Sequence, residues 1–371
     1  MTTDIAQRRL LNQRLAQPDL ATPAEVVRWF GAMQAQELPG ANYAIALRMF
    51  DRAPTVTEQT IEQAVADRSV VRTWPMRGTI HFVPAADASW MLRLLARRTN
   101  QKAASIYRRV GLSGDDFARA GDILASALRG GKVMARRELY AALEAAGLAT
   151  AATAGEQRGL HLLGYWTREG LICLGPRQGK QPTFTLLDEW VPDARQLDDD
   201  EALATLARRY FRSHGPATEY DFAWWSGLTL TEVRRGVALA GDALTQTTLD
   251  GRIYREVATP PSSTSAPSAP SASVLLLPQY DEYTVAYRDR SAALHPAFPA
   301  DPFLILAPVL VVDGLIVGSW KRTLARDAVT LAVTHYTLLD DAQREGLTRA
   351  AERYGRYLGL PARVELRQAG E

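Results

Sequence analysis

Asp281 and Glu282 are the best pair of adjacent carboxylates for proton-transfer chemistry in this sequence of 371 residues. Their competing role is structural: hydrogen bonds that order the start of a C-terminal domain. The usual catalytic signatures are missing. There is no phosphate-binding Gly-rich loop, no HExxH and no nucleophile elbow. The five histidines (His81, His161, His214, His295 and His335) are scattered, which argues against a histidine-rich metal site. Cys173 is the single cysteine, so an internal disulfide and a cysteine-rich zinc site are excluded. Within Leu171-Ile172-Cys173-Leu174 it reads as a small apolar core residue. No metal and no cofactor is expected.

Phosphate binding is the other chemistry within reach. Residues 88–114 contain no acidic side chain but hold Arg93, Arg97, Arg98, Lys102, Arg108 and Arg109. Arg93/Arg97 and Arg98/Lys102 are four apart, so each pair is expected to share a helix face. Such a patch suits phosphates, whose neutralisation supplies most non-specific affinity. The alternative is a solvated face with ionic partners elsewhere. Smaller basic tips occur at Lys132/Arg136/Arg137, Arg177/Lys180, Arg234/Arg235 and Lys321/Arg322. The overall charge, 43 basic against 41 acidic residues for a net +2, argues neither for nor against a nucleic-acid partner.

The elements that must carry these residues exceed one domain, since 371 residues at 47% hydrophobic content outgrow a single ordinary core. Arg8, Arg9 and Arg14 interrupt every apolar run at the N-terminus, so no signal peptide is read there. No stretch reaches the roughly 20 apolar residues that cross a bilayer. A cytoplasmic protein without a membrane partner is expected. Residues 258–273 contain only Pro, Ser, Ala and Thr and read as a linker before a domain at 274–371.

A weak repeat of helix, helix and short strand pair runs through the N-terminal part. The first copy, 1–110 with its basic connecting helix, opens on the capping box Thr22-Pro23-Ala24-Glu25. It continues with a helix at 58–67 and strands at 70–74 and 78–83. The second, 111–195, has helices at 115–128, 135–145 and 156–169. Strands at 171–174 and 183–187 flank its turn-rich basic tip at 175–182. The third, 196–257, begins with a helix at 201–213 and continues through 218–225 and a Ser226-Gly227 turn. A helix capped by Thr229 and Glu232 follows, and a hairpin turned by Asp250-Gly251 closes the copy. Helix, turn, helix and hairpin is the winged-helix plan, in which the second helix enters the major groove. After the linker, strands are read at 274–277, 309–312, 315–320 and 329–336. A helix at 341–358 and a strand at 362–366 end the chain. The whole reads as α+β: three tandem winged helices followed by a β-barrel-like domain.

Several segments in this order and spacing resemble the AlkZ/YcaQ winged-helix DNA glycosylases, over nearly the whole chain. They are Phe30-Gly31-Ala32-Met33-Gln34-Ala35-Gln36, then Arg72-Thr73-Trp74-Pro75-Met76-Arg77-Gly78-Thr79-Ile80-His81-Phe82-Val83, then Leu160-His161-Leu162-Leu163. Residues 215–225, Leu276-Leu277-Pro278-Gln279-Tyr280-Asp281-Glu282-Tyr283 and Tyr287-Arg288-Asp289-Arg290 complete the set. The resemblance implies a positive DNA cleft, excision of N7-alkylated purines and unhooking of interstrand crosslinks. It implies a catalytic Gln, apolar, Gln-or-Asp motif, here Gln34-Ala35-Gln36, of the two-glutamine AlkZ branch associated with azinomycin self-resistance. It also implies a β-hairpin that reaches into the DNA, for which residues 294–308 are the expected counterpart.

Glutamine has no useful pKa, but it holds a water by donating and accepting hydrogen bonds. That suffices for an N7-alkylated purine, whose positive charge already makes it a good leaving group. Residues two apart do not share a helix face, so Gln34 and Gln36 converge only at a helix end or in an extended turn. Pro39 and Gly40 are expected to end any helix there. Arg77 and His81, on the first wing, are candidates for phosphate contact or for a structural role. Trp74 is expected in the core rather than as a base-stacking wedge. The DNA-binding set is Arg77, His81, Arg93, Arg97, Arg98, Lys102, Arg177 and Lys180. The partner is double-stranded DNA with alkylated purines, met by a monomer. A non-enzymatic winged-helix regulator is the main alternative, and a glycosylase limited to simple N7-methylpurines is the other.

Overall fold

The computed structural model describes residues 2–151, 158–258, 273–299, 301 and 303–370. All but the two end residues of the 258–273 linker lie outside them. Contacts group the chain into two units: Met1–Ile61 with Leu203–Glu371, and Glu62–Ala202.

In the first unit, local capping chemistry sets the helices. Thr22 caps Pro23–Phe30, its hydroxyl accepting the Glu25 N–H at 3.2 Å. Gly31, at φ 82°, ends that helix. Met33–Gln34 is extended, and Leu38–Ala46 follows. Pro39 and Gly40 open this helix rather than closing an earlier one, because the first helical turn leaves its N–H groups without helical partners. Reciprocal capping boxes start Glu219–Ser226 (Thr218 with Asp221) and Leu230–Ala240 (Thr229 with Glu232). Leu244–Leu249 and Arg252–Val257 form the expected hairpin, with Asp250 and Gly251 both at positive φ.

A five-stranded sheet fills the rest of this unit. Its order is Ala362–Gln368, Val329–His335, Leu315–Leu324, Val309–Val312 and Val274–Leu277. All neighbours are antiparallel except the first two, which are parallel and joined through the helix Asp341–Leu358. The β-barrel expectation is corrected here. A strand added by helical crossover leaves the sheet with two separate edges, 362–368 and 274–277, and it stays open. Val329, Leu331 and Val333 alternate with half-buried residues, giving the sheet a face against which Leu347, Ala350 and Tyr354 are buried.

The hairpin of this sheet is Leu315–Leu324 with Val329–His335. Pairing with Val309–Val312 stops at Ser319, so the outer half of Leu315–Leu324 has a strand on one side only. Lys321 and residues 323–327 are exposed around its tip. Residues 294–308 hold no strand pair among the described residues, only a 3₁₀ turn at Leu304–Leu306 and a single bridge from Leu294 to Ile316. Pro296, Pro299, Pro302 and Pro308 explain this, since proline cannot donate to a ladder.

The second unit has its own antiparallel sheet, in which Thr79–Pro84, Val70–Met76, Ile172–Gln178, Gln181–Leu186 and Met134–Ala135 are successive neighbours. The helices Ala88–Leu95, Arg97–Arg109, Gly114–Leu128, Arg136–Ala145 and Arg158–Arg168 belong to the same unit. Leu124, Leu128, Leu139 and Leu163 from three of them pack on Ile172, Leu174 and Phe184. Trp74 joins this cluster at 9% exposure, so it is a core residue. Cys173 is fully buried, and burial pushes its thiol well above the ordinary cysteine range. Among the described residues no helix is long and apolar enough to cross a membrane.

Candidate active site

Gln34, Ala35 and Gln36 lie in the irregular segment between the helices Pro23–Phe30 and Leu38–Ala46. Ala35 is fully buried, Gln34 is half-buried and Gln36 is exposed. In extended chain, alternate residues project to the same side. Here the strand ends at Gln34 and the chain bends at Gln36, so the buried Ala35 separates a half-buried and an exposed glutamine. The helix beyond runs close to residues 278–279: a Cβ at Gly40 would stand 3.2 Å from Pro278 Cβ and 3.4 Å from the Gln279 carbonyl, and 2.5 Å from the Glu37 carboxylate that caps the helix. Just past Gln36, a cavity of about 140 Å³ is lined by Glu37, Pro39, Tyr43, Trp320, Arg322 and Tyr354, among others.

Behind the segment lies a buried polar network. The Gln34 N–H donates to Glu282 Oε1 at 2.7 Å. Glu282 Oε2 accepts the Trp225 indole N–H at 3.0 Å and stands 3.3 Å from His214 Nε2. The neighbouring carboxylate, Asp281, is gripped by both Arg48 Nη atoms at 2.8 and 2.9 Å, and both of these side chains are fully buried. Arg48 also donates to the Ala44 carbonyl and to Gln13. Gln13 donates to the Tyr287 hydroxyl, which in turn donates to the His214 carbonyl at 2.9 Å. Tyr210 stacks on the His214 ring at 4.7 Å, and Phe30 meets its edge at 5.3 Å. Burial holds the His214 pKa below the usual histidine range, against the opposing pull of Glu282. Asp281 and Glu282 are both buried and hydrogen-bonded, so they are not an exposed acid–base pair.

The cationic candidates fall in the second unit. Arg93 and Arg97 are on different helices, because the chain breaks at Ala96 between Ala88–Leu95 and Arg97–Arg109; their spacing of four does not place them on one helix face. Both nevertheless line one open cleft of about 680 Å³, together with Asn100, Gln101, Tyr165 and Arg168. Arg93 donates to Gln196 and to the Leu197 carbonyl. Arg98 and Lys102 do share the helix Arg97–Arg109, the former half-buried and the latter exposed. Arg77 sits in the tight turn of the Val70–Pro84 hairpin at φ 55°, half-buried. His81 is fully buried, with Nδ1 2.9 Å from the Thr79 carbonyl. Arg177 is ion-paired with Glu62, and Lys180 is exposed at the far end of its hairpin.

Sequence reasoning passed over Arg168, which donates to the Tyr107 hydroxyl at 2.7 Å and to Asn100 on the wall of the cleft. It also passed over Arg48, Trp225 and Gln13. A run of basic residues flags the first region, but nothing local to residues 13, 48 or 225 signals a shared network. Among the described residues no group of three His, Cys, Asp or Glu side chains could hold a metal ion.

The first unit sets Gln34 and Gln36 beside a buried carboxylate network and the second lines a cleft with arginines; the comparisons give the class of this α+β chain as DNA glycosylase. The chain belongs to the AlkZ-like DNA glycosylase family, whose model matches residues 27–357. An interstrand DNA cross-link repair glycosylase of Streptomyces sahachiroi is 29% identical over 328 residues, covering 85% of each protein. The solved structure of Streptomyces sahachiroi DNA glycosylase AlkZ matches at a TM-score of 0.75 and 25% identity, covering 98% of this chain and 99% of that one. Family membership decides for an enzyme over a non-enzymatic regulator.

Proposed function

We propose that this glycosylase excises N7-alkylated purines from duplex DNA and unhooks interstrand crosslinks formed through such purines, acting as a monomer. Water held between the Gln34 and Gln36 amides adds to C1′ as the C1′–N9 bond breaks. The bonding pair goes to the purine and neutralises its positive charge, and the water's surplus proton passes to solvent. Two amides position the water and need not deprotonate it beforehand, because the leaving group is already activated. Orientation of this kind is worth several kcal/mol, on the order of 7 or more in the best intramolecular cases. A neutral, unmodified purine receives no such activation, and that restricts the enzyme to damaged DNA.

The observation that carries this reading is the fully buried Ala35 between a half-buried and an exposed glutamine, with the Gln34 backbone tied to a buried carboxylate. We read the three N-terminal helix-and-hairpin patterns as tandem winged helices. The backbone of the duplex is neutralised by Arg93, Arg97, Arg98 and Lys102, with Lys180 and Arg77 at hairpin turns. The element that reaches into the DNA is the Leu315–His335 hairpin, whose exposed tip carries Lys321 and Arg326. Crosslink repair by the Streptomyces sahachiroi relative supports the bulky-lesion assignment.

The test is single-turnover excision from duplexes carrying one N7-methylguanine or one N7-linked interstrand crosslink. Gln34→Ala and Gln36→Ala are expected to lose excision by about 100-fold or more while keeping duplex affinity. Wild-type rates in both variants would remove the two glutamines from the mechanism. Cleavage of the methylated duplex alone would restrict the substrate to simple adducts.

A further inference from the structure

We infer that Glu282 is the positioning residue of excision, acting through the Gln34 backbone; this rests on the catalytic reading of Gln34 proposed above. Two adjacent carboxylates from the C-terminal half of the chain hold both ends of one N-terminal stretch. Glu282 accepts the Gln34 N–H at 2.7 Å. Asp281 takes both Arg48 Nη atoms, at 2.8 and 2.9 Å. Between these grips lie Gln36 and the helix Leu38–Ala46. Midway, Gly40 lets residues 278–279 run close alongside, where a Cβ would stand 3.2 Å from Pro278 Cβ. The motif is therefore fastened at three points to the five residues 278–282.

The fastening segment is held in a costly conformation. Tyr280, directly before the two carboxylates, has φ 61°, which a bulky side chain rarely adopts. Such a residue persists only where its surroundings over-determine it, and such strain gathers at functional sites. Here Asp281 also accepts the Tyr283 N–H at 2.9 Å, so its side chain fixes the turn into Glu282–Val285. Glu282 is fixed in turn by Trp225 at 3.0 Å and by His214 at 3.3 Å. Gln36 is exposed and Gln34 half-buried, so the aim of the Gln34 amide depends on how its backbone is held. Glu282 supplies that aim without touching substrate, being 1% exposed.

The experiment is single-turnover excision of N7-methylguanine by full-length Glu282→Gln, Gln34→Ala and the double variant, with duplex affinity measured in parallel. Glu282→Gln keeps the shape but loses the charged acceptor and sets an amide N–H₂ against the Trp225 donor. We expect about a 10- to 100-fold slower rate, the scale of a displacement near 1 Å, with affinity within about 2-fold. In the Gln34→Ala background the same change should cost nothing further, because the group it aims is gone. A merely structural role would instead slow the double variant additively or weaken DNA binding alongside, and either result overturns the inference, as does a wild-type rate in Glu282→Gln. Loss in Gln34→Ala with no loss in Glu282→Gln sinks this inference alone. A wild-type rate in Gln34→Ala sinks the catalytic reading and takes the inference with it. If Glu282→Gln does not fold, two readouts remain: the Gln34 amide proton should resonate far downfield in the wild type, and Trp225→Phe should slow excision several-fold, non-additively with Gln34→Ala. An ordinary amide shift or an unslowed Trp225→Phe would overturn the proposal.

Discussion

Asp281→Asn should be among the most damaging isosteric substitutions in the protein. Arg48 and Asp281 are both fully buried and meet through two contacts at 2.8 and 2.9 Å. An asparagine keeps one oxygen for the Tyr283 N–H but turns an NH₂ toward a guanidinium whose other acceptors among the described residues are the Ala44 carbonyl and Gln13. Breaking one side of a buried ion pair costs about 3–5 kcal/mol, since the remaining charge stays desolvated. Against a typical domain stability of roughly 5–15 kcal/mol, that is about a fifth or more. Adding Arg48→Met removes the stranded charge while filling its volume with apolar atoms, so the double variant should recover about 2 kcal/mol or more. Urea unfolding measures the totals. Hydrogen exchange of peptides covering 38–48 and 275–287 localises them, because two units need not unfold in one step. A cost below about 1 kcal/mol for Asp281→Asn, or a double variant no better than the single, would refute the argument that charge stranding dominates.

Arg97→Glu with Arg98→Glu should weaken all duplexes alike, damaged or not, and lower the dependence of log K on log salt by roughly 2 if each residue meets one phosphate; salt titrations of binding check this, and a sequence-selective loss would contradict it. Arg326→Asp at the exposed tip of the Leu315–His335 hairpin should reduce duplex affinity about 3- to 10-fold, because a single backbone contact is lost and an acidic group gained, while thermal unfolding stays unchanged. The His214 pKa is lowered by burial, so the ring is neutral in the fold and must take up a proton on unfolding in mild acid. Its contribution is whole above the ordinary histidine pKa of about 6.5 and is lost as pH falls through the folded value, so stability of the first unit should decline from about pH 7 to 5. His214→Gln should flatten that slope; an unchanged slope would mean that other groups carry the titration.

What the sequence discloses here is what neighbours in the chain decide. Thr218 and Thr229 cap their helices three residues from their partners, and Asp250-Gly251 turns its own hairpin. The helix that ends at Gly31 is legible from Thr22 and Glu25, whereas the one that starts at Leu38 is not, since Pro39 and Gly40 read as a stop. Pairings set by distant chain are illegible. Arg72 stands opposite Leu174 across about a hundred residues, and Gln34 meets Glu282 across 248. The joint at Ala96 carries no glycine or proline to announce it, so Arg93 and Arg97 read as one face. Strand Leu315–Leu324 runs past its hydrophobic pattern because its outer half, with Lys321 and Arg322, needs no core. The apolar, proline-rich stretch at 294–308 was the more conspicuous signal for an insertion element, and its missing N–H donors are what disqualify it.

These misses share a cause that bears on mechanism. An active site built on an ionisable base advertises itself, because burial and neighbouring charge tune its pKa and leave recognisable partners. Two glutamines have no proton equilibrium to tune. Their whole contribution is where they stand, and a misplacement of about 1 Å costs on the order of 100-fold in rate. The chemistry-bearing residues in the sequence thus look ordinary, while the ionisable groups that draw the eye, Asp281 and Glu282, are scaffold. Buried charge is an expensive way to fasten a segment, since apolar packing of equal volume is often at least as stable. Its advantage is direction: the Glu282 carboxylate accepts one particular N–H at 2.7 Å, whereas apolar contact would let the motif slide. On the proposed mechanism, in which the glutamines act by position alone, the Arg48, Asp281, Glu282 and His214 network serves fold and rate through the same atoms.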